Sequence, residues 1–240
     1  MKAVVLCAGK GVRLRPLTDK VPKVMVKLSG KPLLERVLEK LDEAGITEAC
    51  LIVGYKREAV EKHFGKEFKG IKLEYALQEE QMGTAHAIAL AEKFVSGEKD
   101  FLVLNGDVLA LGGLIKQIAE KDEFDDSDAL MVARKVPDPW RYGVLVVQLN
   151  EVKDIVEKPL FGEEPSDLVN AGIYRFNESI FEAIRQTARS MRGEFEITDS
   201  IKNLISLEKK VVFVVSDSPI IDIGSKEDLE KAGKVLEENE

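Results

Sequence analysis

The sequence predicts an α/β protein, a Rossmann-like three-layer αβα sandwich around a mixed, mainly parallel central sheet. Two observations carry this. In the first half, short β-rich runs alternate with helical periodicity, the mark of parallel βαβ units. In the second half, strands crowd together with little room for helices, which extends the same sheet.

Each element has its own local reason. Residues 3–8 form an apolar β-rich run and read as the first strand. Residues 32–44 read as a helix, because Leu33, Leu34, Val37, Leu38 and Leu41 fall on one face and Gly45 stops it. Strands follow at 49–53 and 72–76, with a polar helix ending at His63 between them. A helix is predicted over 83–94 and a fourth strand over 101–104. Beyond these, 129–134, 143–149, 152–157, 169–176 and 211–215 read as strands. Residues 180–188, 198–207 and 226–238 read as helices. The acidic stretch at 122–128 is expected to be a surface turn. The chain is read as one domain, 1–240, in two unequal lobes, 1–125 and 126–240.

Composition narrows the function classes. The 240 residues are 45% apolar, enough for one sizeable core. No apolar run approaches the roughly 18 residues of a spanning helix, and the N-terminus lacks a signal-peptide layout. The two cysteines, Cys7 and Cys50, form no CxxC, so a reduced, cytoplasmic protein is expected. The net charge of −8 argues against nucleic acid or an anionic membrane as partner. Yet residues 9–31 carry seven basic residues against Asp19 alone, a local +6 that leaves −14 for the rest. A positive site on an acidic chain points to a small anionic ligand.

That site begins with "AGKGVRLRP", directly behind the first strand. Gly9 and Gly11 let the backbone approach a polyphosphate and aim N–H groups at it. Arg13 and Lys23 add charge, and Pro16 and Pro22 stiffen the path. The dinucleotide fingerprint fails, since Leu14 stands where a third small residue is needed. The P-loop fails too, for no Gly-Lys-Ser/Thr opens a helix.

The longer pattern G-x-G-x-R-L-x-P-L-T, followed by P-K, resembles the signature of the sugar-1-phosphate nucleotidyltransferases. Further matches follow in order: "QEEQMGTAHA" (78–87), "NGD" (105–107), "YGV" (142–144), "VEKP" (156–159), "NAGIY" (170–174), "EFEITD" (194–199) and "IDIGSKEDL" (221–229). The resemblance spans nearly the whole chain and implies the nucleotide-diphospho-sugar transferase fold. The chain departs from it at Ile220, where an aromatic is usual, and no fused further domain is expected beyond Glu240.

The reaction this implies is attack of a sugar-1-phosphate oxygen on the α-phosphorus of a nucleoside triphosphate, with pyrophosphate leaving. A phosphate monoester has a second pKa of about 6 and needs no general base. Both histidines, His63 and His86, are therefore assigned structural roles. Charge neutralisation and alignment are what the reaction needs. The resemblance places Lys23 at the α-phosphate, Arg13 at the departing pyrophosphate and Lys158 at the sugar phosphate, and these with Asp107 form the expected catalytic set. Ala8, Gly9, Gly11, Gln78, Gly83 and Thr84 are expected to bind nucleotide. Glu157 is expected at the sugar hydroxyls, with Gly143, Asn170 and Thr198 lining the pocket. Asp107 and Asp222 are the expected ligands of one Mg2+.

The expected substrates are UTP or dTTP with glucose-1-phosphate or N-acetylglucosamine-1-phosphate. Gln78 offers both a donor and an acceptor, so by itself it does not separate uracil from cytosine. A sugar-phosphate-sensing subunit on the same fold and a cytidylyltransferase for another alcohol phosphate are the alternatives, and a homo-oligomer stays open.

Overall fold

The computed structural model describes residues 1–120 and 126–238. Residues 122–125 of the expected acidic turn lie outside the described residues. The first half contains β1 (Lys2–Leu6), β2 (Lys27–Leu28), β3 (Lys31–Pro32), α1 (Leu33–Glu43), β4 (Glu48–Val53), α2 (Arg57–Phe64) and β5 (Glu67–Phe68). It continues with β6 (Ile71–Leu77), α3 (Thr84–Ala89), α4 (Glu92–Val95), β7 (Phe101–Asn105), β8 (Val108–Ala110) and α5 (Leu114–Glu120). The second half adds β9 (Ala129–Lys135), β10 (Gly143–Gln148), β11 (Glu151–Glu157), β12 (Leu168–Phe176) and α6 (Ser179–Arg185). It closes with α7 (Ile197–Ser206), β13 (Val211–Val215), β14 (Ile220–Asp222) and α8 (Lys226–Glu237).

Ten strands form one mixed sheet in the order β10-β11-β13-β9-β12-β7-β1-β4-β6-β5. Strands β7, β1, β4 and β6 are parallel neighbours, as are β13 and β9. Antiparallel β12 joins the two groups by pairing with β7 and β9. The sheet is buried on both faces. Leucines of α1, Val60 and Phe64 of α2, and Leu114, Ile115 and Ile118 of α5 cover one face. Ile88 of α3, Ile180 and Phe181 of α6, and Ile201 and Leu204 of α7 cover the other. Helix α8 packs on β14 through a third cluster containing Ile221, Ile223 and Leu236. Its start is fixed by a capping box between Ser225 and Asp228. No helix among the described residues is long and apolar enough to cross a membrane.

Several details differ from the sequence expectation, among them an unanticipated helix, α5. The predicted helix over 83–94 is two helices, because the chain tightens at Ala91, whose N–H bonds Ile88 O at 3.0 Å. That turn lets Ala91 and Val95 both reach the core. Strand β1 ends at Leu6, whose carbonyl takes the Gly106 N–H at 2.9 Å. The ribbon of β8 with β14 has no counterpart in the sequence pattern. Across the sheet, buried Arg175 of β12 pairs with buried Asp100 at 2.8 Å.

The chain order reverses at β1, with β4 on one side and β7 on the other. The crevice beyond the carboxyl ends of these strands is where ligands enter such sheets. Both "AGKG" and "NGD" open into it.

Candidate active site

The loop after β1 is built to carry Lys23 back beneath it. Gly11 takes a left-handed conformation with φ of 64°, and the Thr18 hydroxyl donates to its carbonyl at 2.8 Å. A Cβ placed at Gly11 would lie 2.8 Å from Lys23 Cβ. The glycine thus supplies the turn and the clearance that Lys23 needs. Extended Pro22 then launches a short 3-10 turn, Lys23–Met25, which aims the ammonium at the "NGD" turn.

There Lys23 donates a hydrogen bond to Asp107 and lies 3.9 Å from Asp222 Oδ1. Asp222 arrives through the β8–β14 ribbon, where it stands opposite Val108; the next N–H, of Ile223, bonds Asp107 O at 3.1 Å. Burial would lower the Lys23 ammonium, but the charges of Asp107 and then Asp222 outweigh it and raise its pKa. Burial, then the neighbouring Asp107 charge, pushes the Asp222 carboxyl up. This donor set fits a divalent cation that takes two carboxylates and completes its shell with water and phosphate oxygens. It does not form a protein-only cage: among the described residues no group of three or more His, Cys, Asp or Glu could hold a metal.

Two cavities flank this triad. The smaller, about 250 Å³, is lined by Ala8, Gly9, Lys23, Gln78, Gly83 and Asp107. The larger, about 480 Å³, holds Arg13, Gly143, Glu157, Lys158, Asn170 and Asp222, and Thr198 also lines it. Thr84, Asn105 and Glu194 line both, so the two spaces are contiguous. Gly11 lines neither; its part is under Lys23. Arg13 shares the larger cavity with Lys158, rather than the smaller one with Gly9 and Lys23. Its guanidinium lies against Gly224, at the junction of β14 and α8.

The two sides are stitched together. Gly83, with φ of 103°, packs against the backbone of Phe195. Phe195 N–H donates to Met82 O at 2.8 Å, Ala85 N–H to Phe195 O at 2.9 Å, and Ile197 N–H to Thr84 Oγ1 at 2.9 Å. The segment expected to read the base is therefore bonded to the segment expected to read the sugar.

In the larger cavity, Glu157 accepts from Thr198 Oγ1 at 3.2 Å and from Arg192 Nη2 at 3.0 Å. Arg192 also holds Glu196 at 2.7 Å. Burial pushes the Glu196 carboxyl up, against the opposing charge of Arg192. Lys158 sits at positive φ, its N–H donating to Tyr142 O at 2.9 Å. Asn170 donates to the Tyr174 hydroxyl and accepts from Gly172 N–H at 3.0 Å, which fixes its amide.

Sequence reasoning missed Arg134, Arg192, Glu196 and Asn105. Arg134 stacks on the Tyr142 ring at 4.8 Å, its buried Nε without a hydrogen-bond partner among the described residues. It lies near the end of a strand whose continuous apolar run, residues 129–133, reads as core, so the pattern alone gives it no role. Asn105 and Glu196, by contrast, stand inside the quoted "NGD" and "EFEITD" segments. His86, assigned a structural role, contacts Gln78 through Nδ1 at 3.0 Å.

Residues 2–239 match the family model described as nucleotidyl transferase. The chain is 38% identical over 244 residues to the UTP–glucose-1-phosphate uridylyltransferase AglF of Haloferax volcanii, covering 99% of this chain and 97% of that protein. It is 40% identical over 210 residues to the bifunctional protein GlmU of Methanococcus maripaludis, covering 87% of this chain and 48% of that one. The chain thus spans about half the length of that bifunctional relative. A solved UDP-glucose pyrophosphorylase complexed with UDP-glucose superposes with a TM-score of 0.90 at 25% identity, covering 100% of this chain and 99% of that one.

Proposed function

The chain belongs to the nucleotidyl transferase family, and from that premise we propose that it joins UTP or dTTP to a sugar-1-phosphate, releasing pyrophosphate. A sugar-1-phosphate oxygen forms the new bond to the α-phosphorus while the bond to the β-phosphate oxygen breaks. The observation that carries this reading is the Lys23–Asp107–Asp222 triad set between two contiguous cavities. One takes the nucleotide, the other the sugar phosphate.

In this reading Lys23 neutralises the α-phosphate, where charge builds in the transition state. Ala8, Gly9 and Thr84 hold the triphosphate side and Gln78 the base. Lys158 binds the sugar phosphate, Glu157 accepts from sugar hydroxyls, and Gly143, Asn170 and Thr198 shape the pocket. Arg13, which lines the same cavity as Lys158, offers its planar fork to phosphate oxygens of either substrate. Enzymes of this kind generally use a divalent metal; Mg2+ held by Asp107 and Asp222 would supply further neutralisation of phosphate charge. Residues 1–125 and 126–240 serve as nucleotide and sugar-phosphate lobes, each lending residues to the other's cavity. AglF's activity makes UTP with glucose-1-phosphate the first pair to test, and N-acetylglucosamine-1-phosphate the second.

A pyrophosphate-release panel of five nucleoside triphosphates against several sugar-1-phosphates tests this. Release that needs both substrates supports it. Binding of sugar phosphate with no release under any pairing would leave a sensor instead.

A further inference from the structure

A primary amide reads uracil or cytosine equally well if it is free to turn over. Gln78 is not free. Its backbone N–H continues the sheet to Val53 O at 2.8 Å, and the residue is only 4% exposed. Its Nε2 stands 3.0 Å from Gly83 O and 3.0 Å from His86 Nδ1. A backbone carbonyl can only accept, so the contact with Gly83 settles which end of the amide carries the N–H groups. The second N–H faces His86 Nδ1, which accepts it when the imidazole carries its proton on Nε2. Both donors are then used inside the protein, and Oε1, which accepts no hydrogen bond from the described residues, is the atom left for a ligand. Turning the amide over would set its oxygen against the Gly83 carbonyl.

We propose that His86 is a positioning residue for base selection. It holds the Gln78 amide with its carbonyl oxygen toward the nucleotide cavity, so the site takes a base presenting a ring N–H. Uracil and thymine present one at N3; cytosine presents an acceptor there, which would face another acceptor. The inference rests on the catalytic reading above and adds to it the residue that fixes the orientation of the Gln78 amide.

The test compares UTP with CTP in the wild type, His86→Leu and His86→Asn. Leucine removes the acceptor, whereas the asparagine Oδ1 can stand in for Nδ1. His86→Leu should lower the UTP-to-CTP ratio of kcat/KM by about tenfold, through the nucleotide terms. The sugar-phosphate KM should stay unchanged, and His86→Asn should restore most of the ratio. A folded His86→Leu enzyme with the wild-type ratio overturns the proposal. Nitrogen-15 NMR of wild-type His86 gives a second test that needs no variant. The tautomer protonated on Nε2, with Nδ1 accepting, supports the proposal; protonation on Nδ1 overturns it. Wild-type protein that turns over no nucleotide would sink the catalytic reading, and the tautomer would still decide whether the amide is held this way.

Discussion

Lys23 donates a hydrogen bond to Asp107, a residue 84 positions away, and stands 3.9 Å from the second carboxylate, Asp222. The ammonium therefore occupies the place of positive charge between two acids. Lys23→Met should remove it, so that Mn2+ binding without nucleotide tightens by about tenfold while turnover falls sharply. Electron paramagnetic resonance of free Mn2+ reads the first effect and pyrophosphate release the second. Weaker metal binding in the variant would mean that the carboxylates do not share one cation.

If Asp107 and Asp222 serve one ion, Asp107→Ala, Asp222→Ala and the double variant should have similar turnover. Sites acting as a unit lose their function once. Multiplicative losses would assign the two acids separate roles. Full turnover after EDTA treatment, without added metal, would exclude the ion altogether.

The two loop glycines should behave differently. At Gly11 the left-handed backbone and the 2.8 Å approach to Lys23 both oppose a side chain, and the backbone strain alone costs about 1–2 kcal/mol. Gly11→Ala should lower the melting temperature by several degrees and cut kcat at least about tenfold through displaced Lys23. Gly9 has no atom within 4 Å of a Cβ. Gly9→Ala should therefore melt like wild type, with any loss confined to the nucleotide KM.

A Cβ at Gly224 would lie 2.8 Å from Arg13 Nη2. Gly224→Ala should push the guanidinium aside and reproduce part of the Arg13→Ala defect, which amounts to roughly 1.5–3 kcal/mol for a charge-assisted contact. The pair should be non-additive in kcat/KM. Because Arg13 and Lys158 share a cavity, Arg13→Ala should raise the sugar-phosphate KM as well as the triphosphate KM. An effect on triphosphate alone would place the guanidinium elsewhere during turnover.

Asp100→Ala leaves the buried Arg175 guanidinium without its 2.8 Å carboxylate partner. Breaking such a pair costs about 3–5 kcal/mol, and thermal unfolding should fall by roughly 10 °C. Below the transition, kcat and both KM values should match wild type, since neither residue lines either cavity. Changed kinetics in the folded variant would contradict a purely structural pair.

How much of this was written in the chain depends on how local each feature is. The amphipathic face of α1, the buried β-runs and the glycine loop are patterns within about a dozen residues, and the predicted elements sit within a few residues of those observed. The ordered motifs, from "AGKG" to "IDIGSKEDL", sufficed to nominate Lys23, Gln78, Asp107, Lys158 and Asp222. Helix α5 was also legible, in the spacing of Leu114, Ile115 and Ile118, yet it was not anticipated. The tertiary structure alone decided relations across distance. Asp222 meets Asp107 only because β14 pairs antiparallel with β8. Arg13 lines the cavity that holds Lys158, its guanidinium set against Gly224 at the junction of β14 and α8. The Gln78 amide is held one way round only because the chain turns at Gly83 and brings back His86. Sequence supplies the donors and acceptors; the folded backbone fixes which of them spend their bonds inside the protein and which remain for a substrate.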